Sequence, residues 1–302
     1  MNLLVTGAFA CTEKELNELA WQGHEVVFMQ QEKDPLPCKY EWVEGIIGNG
    51  IFLHHPIEKF TSLKFIQLTS AGFDRVPMEY VNQKGIKIFN ARGVYSIPMA
   101  EYALAGVLSL YKKLEFFSQK QKQHIWEKHR GVMELFGKTV LIVGAGNVGS
   151  ECAKRFSAFG CQVFGADICP TENPNFTKVL PMSELDKILN KADVVILTLP
   201  LTDETRGLFD KSKFAIMKDG ALFVNIARGA VVNTKDLIEA LNERLSGAVL
   251  DVFETEPLEK DSPLWDTENV IITPHNSFVG EGNKQRLFDV VIENLVKWEE
   301  KN

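Results

Sequence analysis

Four side chains with catalytic chemistry stand directly after apolar, strand-like runs in the second half of the chain: Arg228, Glu254, Glu256 and His275. Because ligands of an open α/β sheet bind beyond the carboxyl ends of its strands, a site is expected at these positions. An arginine can hold a carboxylate through two parallel hydrogen bonds. A histidine titrates near neutral pH, and a neighbouring carboxylate fixes its orientation. The set suits hydride transfer to or from a 2-oxo or 2-hydroxy acid, with His275 as the acid or base.

Each of these residues also has an ordinary structural interpretation. A single histidine at a strand end is most often a packing or capping residue. Arg228 in a glycine-flanked loop is also consistent with a surface ion pair. Glu254 and Glu256 lie in the same loop, and composition does not choose between them. The residues taken alone therefore leave the catalytic assignment open.

A glycine motif indicates the cofactor. Gly144, Gly146 and Gly149 follow the apolar run Thr139–Val143 in the spacing G-x-G-x-x-G. The first glycine permits a tight turn, the second lets a pyrophosphate approach the backbone, and the third lets a helix pack close to the strand. The helix N-terminus offers N–H groups and positive dipole to phosphates. A second apolar run then ends on Asp167, about where an acid accepts hydrogen bonds from a ribose. The segment predicts a dinucleotide-binding domain.

The same acid bears on which dinucleotide binds. A carboxylate at this position hydrogen-bonds a free 2′-hydroxyl and repels a 2′-phosphate. After Asp167 no arginine or lysine occurs before Lys178. NAD(H) is therefore favoured over NADP(H).

Strand and helix patterns alternate on both sides of the glycine motif. The predicted strands before it are Asn2–Thr6, Glu25–Met29, Gly45–Ile47, Phe65–Leu68 and Ile86–Phe89. Those after Asp167 are Asp193–Leu199, Ala221–Ile226, Ala248–Val252 and Val270–Thr273. The predicted helices are Thr12–Gln22, an apolar one from Ile97 to about Leu114, Ser183–Asn190, Lys211–Met217, Thr234–Asn242 and Glu281–Trp298. Such alternation predicts an α/β fold: two Rossmann-like, doubly wound parallel-sheet domains with a cleft between them.

Composition excludes several function classes. A net charge of −7 over 302 residues argues against a nucleic-acid surface and against an anionic membrane patch. No apolar run approaches the roughly 18–20 residues of a membrane span, and because Met1–Thr6 leads directly into a strand we expect no signal peptide. The five cysteines are scattered, and no His, Cys or Asp cluster has ligand spacing. We therefore expect free thiols, a cytoplasmic location and no bound metal.

Seven motifs resemble those of the D-isomer-specific 2-hydroxyacid dehydrogenases. In the second half they are VGAGNVG, LPLTDETRGLF (Leu199–Phe209), GALFVNIARGAVV (Gly220–Val232), LDVFETEPL (Leu250–Leu258) and ITPHNS (Ile272–Ser277). In the first half, LTSAGFDRVP (Leu68–Pro77) and NARGVYSIPMAEYAL (Asn90–Leu104) are similar to the family's substrate loop and to the entry of its interdomain helix. The motifs occur in order, and the resemblance is specific for the family rather than for one substrate.

The resemblance implies a role for each matching residue. Arg228 would bind the substrate carboxylate, and His275 would be the acid or base paired with Glu256, which matches because it directly precedes Pro257. The implied cofactor contacts are Gly144, Gly146, Asn147, Val148, Gly149, Asp167, Leu199, Pro200, Ala227 and Asp251, the last at the nicotinamide carboxamide. The implied substrate-binding residues are Ala71 and Gly72, through their N–H groups, together with Arg228, and Asn49 and Gly50 in a second loop.

The resemblance also implies a domain division. A flavodoxin-like substrate domain would comprise residues 1–96 plus 281–302, and an NAD-binding Rossmann domain residues 97–280. The segment around Trp126 corresponds to the family's dimer contact, so a homodimer is expected. With the chain ending at Asn302, we expect a short form without the regulatory C-terminal domain of long phosphoglycerate dehydrogenases. The run Asn276-Ser277-Phe278 departs from the small residues of many members and leaves the substrate open.

The predicted function is therefore NAD-dependent hydride transfer between nicotinamide and a D-2-hydroxy acid or 2-oxo acid. Two alternatives stay open. A non-enzymatic NAD(H)-sensing, corepressor-like interaction protein would share the fold and could retain the catalytic trio, but such proteins carry extra segments for partners. A formate-dehydrogenase-like enzyme would need substrate-loop residues that we do not see in this sequence.

Overall fold

The computed structural model describes residues 1–300 and divides the chain into two compact units. The first unit comprises Met1–Tyr95 and Gly280–Asn302, and the second comprises Ser96–Val279. Each unit is built around one parallel sheet with helices between its strands. The predicted fold class, two Rossmann-like parallel-sheet domains, is confirmed.

The first unit contains a five-stranded sheet in the order β2-β1-β3-β4-β5. Its strands are β1 (Asn2–Thr6), β2 (Glu25–Met29), β3 (Gly45–Gly48), β4 (Phe65–Leu68) and β5 (Lys87–Phe89). Its helices are α1 (Glu13–Trp21), α2 (Met78–Lys84) and the C-terminal α9 (Asn283–Glu299). This order, with sequential strands on either side of β1, is that of the flavodoxin-like folds.

Both faces of the first sheet are buried. Successive side chains of a strand point to opposite faces, so neighbouring residues belong to different clusters. On one face, Leu4 packs in a cluster with Ile46 and Ile66. On the other face, Leu3 packs in a cluster that includes Val291 of α9. The C-terminal helix therefore completes the core of the first unit.

The second unit contains a seven-stranded parallel sheet in the order β12-β11-β10-β9-β6-β7-β8. Its strands are β6 (Thr139–Val143), β7 (Gln162–Asp167), β8 (Lys178–Pro181), β9 (Val194–Leu197), β10 (Leu222–Asn225), β11 (Gly247–Leu250) and β12 (Val270–Ile272). Its helices are α3 (Ser96–Tyr111), α4 (Leu114–Lys122), α5 (Asn147–Ala158), α6 (Leu185–Leu189), α7 (Lys211–Ile216) and α8 (Thr234–Glu243). Because the strands are parallel, the turn after β6 and the loops after β9 to β12 all lie at one edge.

Two elements were not predicted, and each has a physical reason. β8 is an edge strand with one buried residue, Leu180, so its apolar signal is weak. α2 has seven residues and buries only Val81 completely, so it is too short to show a helical period. The apolar helix α3 ends at Tyr111, and Lys113 separates it from α4 with a left-handed φ of 52°.

Candidate active site

The loop after β10 lies directly against the loop after β11. A Cβ built on Gly229 would come within 1.8 Å of the carbonyl carbon of Phe253. Only a residue without a side chain allows this approach. The contact brings the loop that carries Arg228 against the loop that carries Glu256.

Glu256 and His275 form a hydrogen-bonded pair at this edge. Nδ1 of His275 lies 2.9 Å from Oε2 of Glu256, and the backbone N–H of Phe253 donates to Oε1 at 3.1 Å. With Nδ1–H donating to the carboxylate, Nε2 on the far side of the ring is the nitrogen that can exchange a proton with a ligand. The two side chains are 42% and 37% exposed, so a ligand can reach the pair from solvent.

The second acid of the loop serves a different contact. Glu254 accepts a hydrogen bond at 2.8 Å from the backbone N–H of Thr234, the first residue of α8. A carboxylate at a helix N-terminus satisfies a free N–H group and interacts favourably with the helix dipole. The geometry thus separates two acids that composition does not distinguish.

A buried carboxylate holds the histidine loop. Asp251 is completely buried and accepts hydrogen bonds from Thr273 Oγ1 at 2.5 Å, from the N–H of Asn276 at 2.7 Å and from the N–H of Ser277 at 2.9 Å. These bonds bracket His275, whose φ of 50° is left-handed and rarely adopted by a side-chain-bearing residue. The surrounding bonds therefore impose the backbone conformation that presents the imidazole.

A tyrosine of α3 extends this network. The hydroxyl of Tyr102 lies 2.6 Å from Thr273 Oγ1, the group that bonds Asp251. Burial raises the pKa of Tyr102 above its ordinary value, and the nearby charge of Asp251 acts in the same direction. Sequence reasoning missed both residues as supports for the histidine. For Asp251 the resemblance implied only a cofactor contact.

Arg228 is held through its backbone. The side-chain amide of Asn225, at the end of β10, accepts from the N–H of Ala227 at 3.1 Å and donates to the carbonyl of Arg228 at 3.2 Å. The guanidinium also donates to the carbonyl of Ala227 at 2.8 Å. The half-buried arginine thus starts from a fixed backbone at the same edge as the histidine pair.

The glycine motif forms a tight turn between β6 and α5. Gly144 has a φ of 101°, and a Cβ on it would lie 2.7 Å from the backbone nitrogen of Leu199. A Cβ on Gly149 would lie 2.1 Å from the carbonyl oxygen of Gly144, so the helix is as close to the turn as a glycine permits. Thr198 fixes the turn by donating to the Gly144 carbonyl at 2.6 Å. Pro200, next to Leu199, is exposed at this edge.

The turn fits a dinucleotide. A Cβ on Gly146 would meet no atom of residues 1–300 within 4 Å, so the backbone is open there. Within the same residues no side chain caps the start of α5, where Asn147 and Val148 are the first helical residues. Their N–H groups and the helix dipole suit a pyrophosphate. The carboxylate of Asp167 accepts from the N–H of Ala145 at 2.7 Å, which ties the acid to the turn and leaves it lone pairs for a ribose.

The substrate-loop residues expected from the resemblance lie in the first unit. Asn49 and Gly50 follow β3, and Ala71 and Gly72 follow β4, its neighbour in the sheet. The loop with Ala71 and Gly72 is fixed by the side chain of Asn90, which donates to the carbonyl of Ala71 at 2.6 Å. Both pairs therefore lie at the carboxyl edge of the first sheet.

Three further features of residues 1–300 concern metal binding, membrane spans and cysteines. Among residues 1–300, no three His, Cys, Asp or Glu side chains are grouped so as to hold a metal ion. The same residues contain no helix that is both long and apolar enough to cross a membrane. All five cysteines are free thiols.

The family follows from a comparison with known proteins. Residues 104–277 match the model for the NAD-binding domain of the D-isomer-specific 2-hydroxyacid dehydrogenases. The chain belongs to this family. The seven-stranded second unit is therefore an NAD(P)-binding domain, and the family and cofactor predicted from the motifs are confirmed.

The relatives are named for different substrates. The chain is 35% identical over 245 residues to D-3-phosphoglycerate dehydrogenase of Methanocaldococcus jannaschii, a match that covers 80% of this chain and 46% of that protein. It is 33% identical over 289 residues to glyoxylate reductase of Thermofilum pendens, which covers 89% of this chain and 84% of the relative. The chain thus spans about half the length of the first relative and most of the second.

A solved structure gives the same fold over the whole chain. The D-lactate dehydrogenase of Aquifex aeolicus, complexed with NAD and lactic acid, superposes with a TM-score of 0.78 at 26% identity and covers 99% of this chain and 96% of that one. The similarity supports the architecture and the kind of cofactor, while the named substrates differ among the three proteins.

Proposed function

We propose that this protein is an NAD-dependent dehydrogenase that interconverts a D-2-hydroxy acid and a 2-oxo acid. The observation that carries the proposal is the 2.9 Å contact between His275 Nδ1 and Glu256 Oε2. The pair lies at the sheet edge where the glycine turn opens, as the family's chemistry requires of an acid or base that works beside a bound dinucleotide.

The residues have separate tasks in the proposed reaction. Arg228 binds the substrate carboxylate bidentately. The family resemblance adds Ala71 and Gly72, and the second loop with Asn49 and Gly50, as substrate-binding residues. His275 gives the proton on Nε2 to the carbonyl oxygen during reduction, and takes it back during oxidation. Glu256 holds the ring in the tautomer that directs Nε2 to the substrate and compensates the charge of the protonated ring. When bound, the nicotinamide supplies the hydride or takes it up.

Asp167 supports NAD rather than NADP as the cofactor. Its carboxylate is fixed at the end of β7 by hydrogen bonds from the N–H groups of Ala145 and Cys169, at 2.7 and 2.9 Å. A fixed negative charge at this position hydrogen-bonds the ribose 2′-hydroxyl and repels a 2′-phosphate.

We also propose a homodimer in the cytoplasm. Trp126, in the segment after α4, is 99% exposed, and the neighbouring Ile125 is 47% exposed. Apolar side chains exposed together on one segment favour burial against a partner. The resemblance assigns that partner as a second copy of the chain.

The test is NADH oxidation by the purified protein, followed at 340 nm with a panel of 2-oxo acids. The panel contains glyoxylate, hydroxypyruvate, pyruvate, oxaloacetate, 2-oxoisocaproate and phenylpyruvate, and D-3-phosphoglycerate is run with NAD in the oxidative direction. His275→Ala should lower kcat on the order of 10²–10⁴-fold, the range for removing a general acid–base group. Binding of NADH, measured by fluorescence, should change little.

A matched pair of acids sharpens this test. Glu256→Gln should lower kcat, because it loosens the ring, whereas Glu254→Gln in the same loop only weakens the hydrogen bond from Thr234 by removing the charge and should leave kcat near normal. Turnover that survives His275→Ala would refute the acid–base assignment. Tight NADH binding with no turnover of any panel member would instead favour the NAD(H)-sensing alternative.

A further inference from the structure

The carboxylate of Glu32 occupies an anion-binding site made by the backbone of the first unit. Its Oε1 accepts from the N–H of Asn49 at 2.6 Å, and its Oε2 accepts from the N–H of Gly50 at 2.7 Å. The hydroxyl of Thr6 donates to Oε1 at 2.8 Å. Two successive N–H groups that converge on one anion form the kind of concavity that binds phosphates and carboxylates in many proteins.

The position of this site in the sheet is where a ligand is expected. Thr6 ends β1 and Asn49 follows β3, and these two strands are neighbours in the order β2-β1-β3-β4-β5. The chain leaves β1 toward β2 on one side and returns to β3 on the other. In a sheet of this order, the crevice between those two strand ends is the point at which ligands bind. Glu32 thus fills the ligand position of the first sheet with a group from its own chain.

The loop is shaped to receive this side chain. A Cβ on Gly48 would lie 2.7 Å from Oε1 of Glu32, and a Cβ on Gly50 would lie 3.3 Å from Oε2. A larger residue at position 48 would therefore push the carboxylate out of its site. The glycines are explained by the close approach of Glu32.

One cation lies beside the same loop. Arg75 lies on the loop that follows β4, and its Cδ atom would be 3.7 Å from a Cβ built on Gly50. Within residues 1–300, Arg75 and Glu32 form no ion pair. The surroundings of Gly50 therefore combine a fixed negative charge, held by three donors, with an exposed positive charge on a longer side chain.

We infer that Glu32 is a specificity-determining residue that restricts the enzyme to 2-oxo acids with a single acidic group. The inference rests on the proposed function and on the family resemblance, which implies that Asn49 and Gly50 form a second substrate-binding loop beside that of Ala71 and Gly72. A second carboxylate or a phosphate on the substrate would find the N–H groups of this loop already bonded. It would also meet the like charge of Glu32, whereas an uncharged substituent would not.

The experiment compares substrates that differ by one acidic group. Hydroxypyruvate is paired with its 3-phosphate, and pyruvate is paired with oxaloacetate, with kcat/KM measured for each by NADH oxidation. The unmodified protein should favour the singly charged member of each pair. Glu32→Gln keeps the size of the side chain and removes its charge, so the ratio should move toward the member with two acidic groups by about tenfold or more.

Glu44→Gln is the matched control. The carboxylate of Glu44 also accepts a backbone N–H, that of Asn2 at 3.0 Å, and it pairs with Lys64 at 2.9 Å, but it lies at the opposite edge of the same sheet. Its neutralisation changes the net charge of the protein as Glu32→Gln does. It should leave the substrate ratio unchanged.

The outcomes separate the inference from the proposed function. If no 2-oxo acid of the panel is turned over by the unmodified protein, the proposed function fails. If turnover is present but Glu32→Gln leaves the ratio unchanged, or lowers both members equally, Glu32 only fastens the loop and the inference is wrong. A preference of the unmodified protein for the substrates with two acidic groups would also overturn the inference.

Discussion

Replacing Gly229 with alanine tests whether the contact between two loops positions the catalytic residues. The new Cβ would lie 1.8 Å from the carbonyl carbon of Phe253 and 2.4 Å from the nitrogen of Glu254. Both are backbone atoms, so no side-chain rotation can relieve the clash. To reach ordinary contact distance the two loops must separate by roughly 2 Å. Since Phe253 bonds Glu256, the carboxylate that holds His275 would be displaced.

The size of the expected effect follows from this displacement. A misplacement of about 1 Å in a catalytic arrangement can cost on the order of 100-fold in rate. We therefore expect Gly229→Ala to lower kcat/KM for the preferred 2-oxo acid about 100-fold. Overpacking of this kind also costs about 1–3 kcal/mol of stability, which a thermal melt detects as a lower Tm. NADH binding, measured by fluorescence titration, should change much less than turnover.

Gly137→Ala separates a positional effect from a general loss of stability. Gly137 lies in the loop before β6 with a φ of 73°, and a Cβ there would meet no atom of residues 1–300 within 4 Å. Its replacement should cost about 1–2 kcal/mol through backbone strain alone. Near-normal kcat/KM in Gly229→Ala would show that the contact between the loops does not position the catalytic residues. The same holds if Gly137→Ala, at an equal loss of Tm, lowers kcat/KM as much.

Two further predictions concern the cofactor and the oligomer. Asp167→Asn should weaken the binding of NADH, because it removes the negative charge and one of the two carboxylate oxygens that accept from the N–H groups of Ala145 and Cys169. It should also raise the ratio of kcat/KM with NADPH to kcat/KM with NADH by about tenfold or more. An unchanged ratio would contradict the role of this acid in cofactor choice. Trp126→Ala should shift sedimentation of the protein from dimer toward monomer, since it removes the most exposed aromatic residue of the segment after α4. Sedimentation of the unmodified protein as a monomer would refute the dimer.

The buried strands and the glycine turn were predictable because their signals are local. β6 and β10 are short apolar runs that are buried on both faces, and such runs keep their character whatever packs on them. The edge strand β8 lacks that signal. α4 ends at Lys122, although the segment after it also carries helix-forming residues. Composition alone therefore does not predict where this exposed helix ends.

The support of the candidate site could not be predicted, since it depends on contacts between distant residues. Asp251 bonds groups 22 to 26 positions further along the chain. Tyr102 reaches Thr273 across 171 positions. No pattern of spacing in the sequence brings these groups together.

The sequence by itself determined the α/β class, the dinucleotide motif and the family, because each depends on residue types at fixed short spacings. Only the tertiary structure decided that Glu254 bonds the start of α8, which carboxylate holds the histidine turn, and that Glu32 accepts from the N–H groups of Asn49 and Gly50. A carboxylate binds whichever donors the fold places within about 3 Å of it. That proximity is a property of the packed sheet edges, and the order of residues along the chain does not contain it.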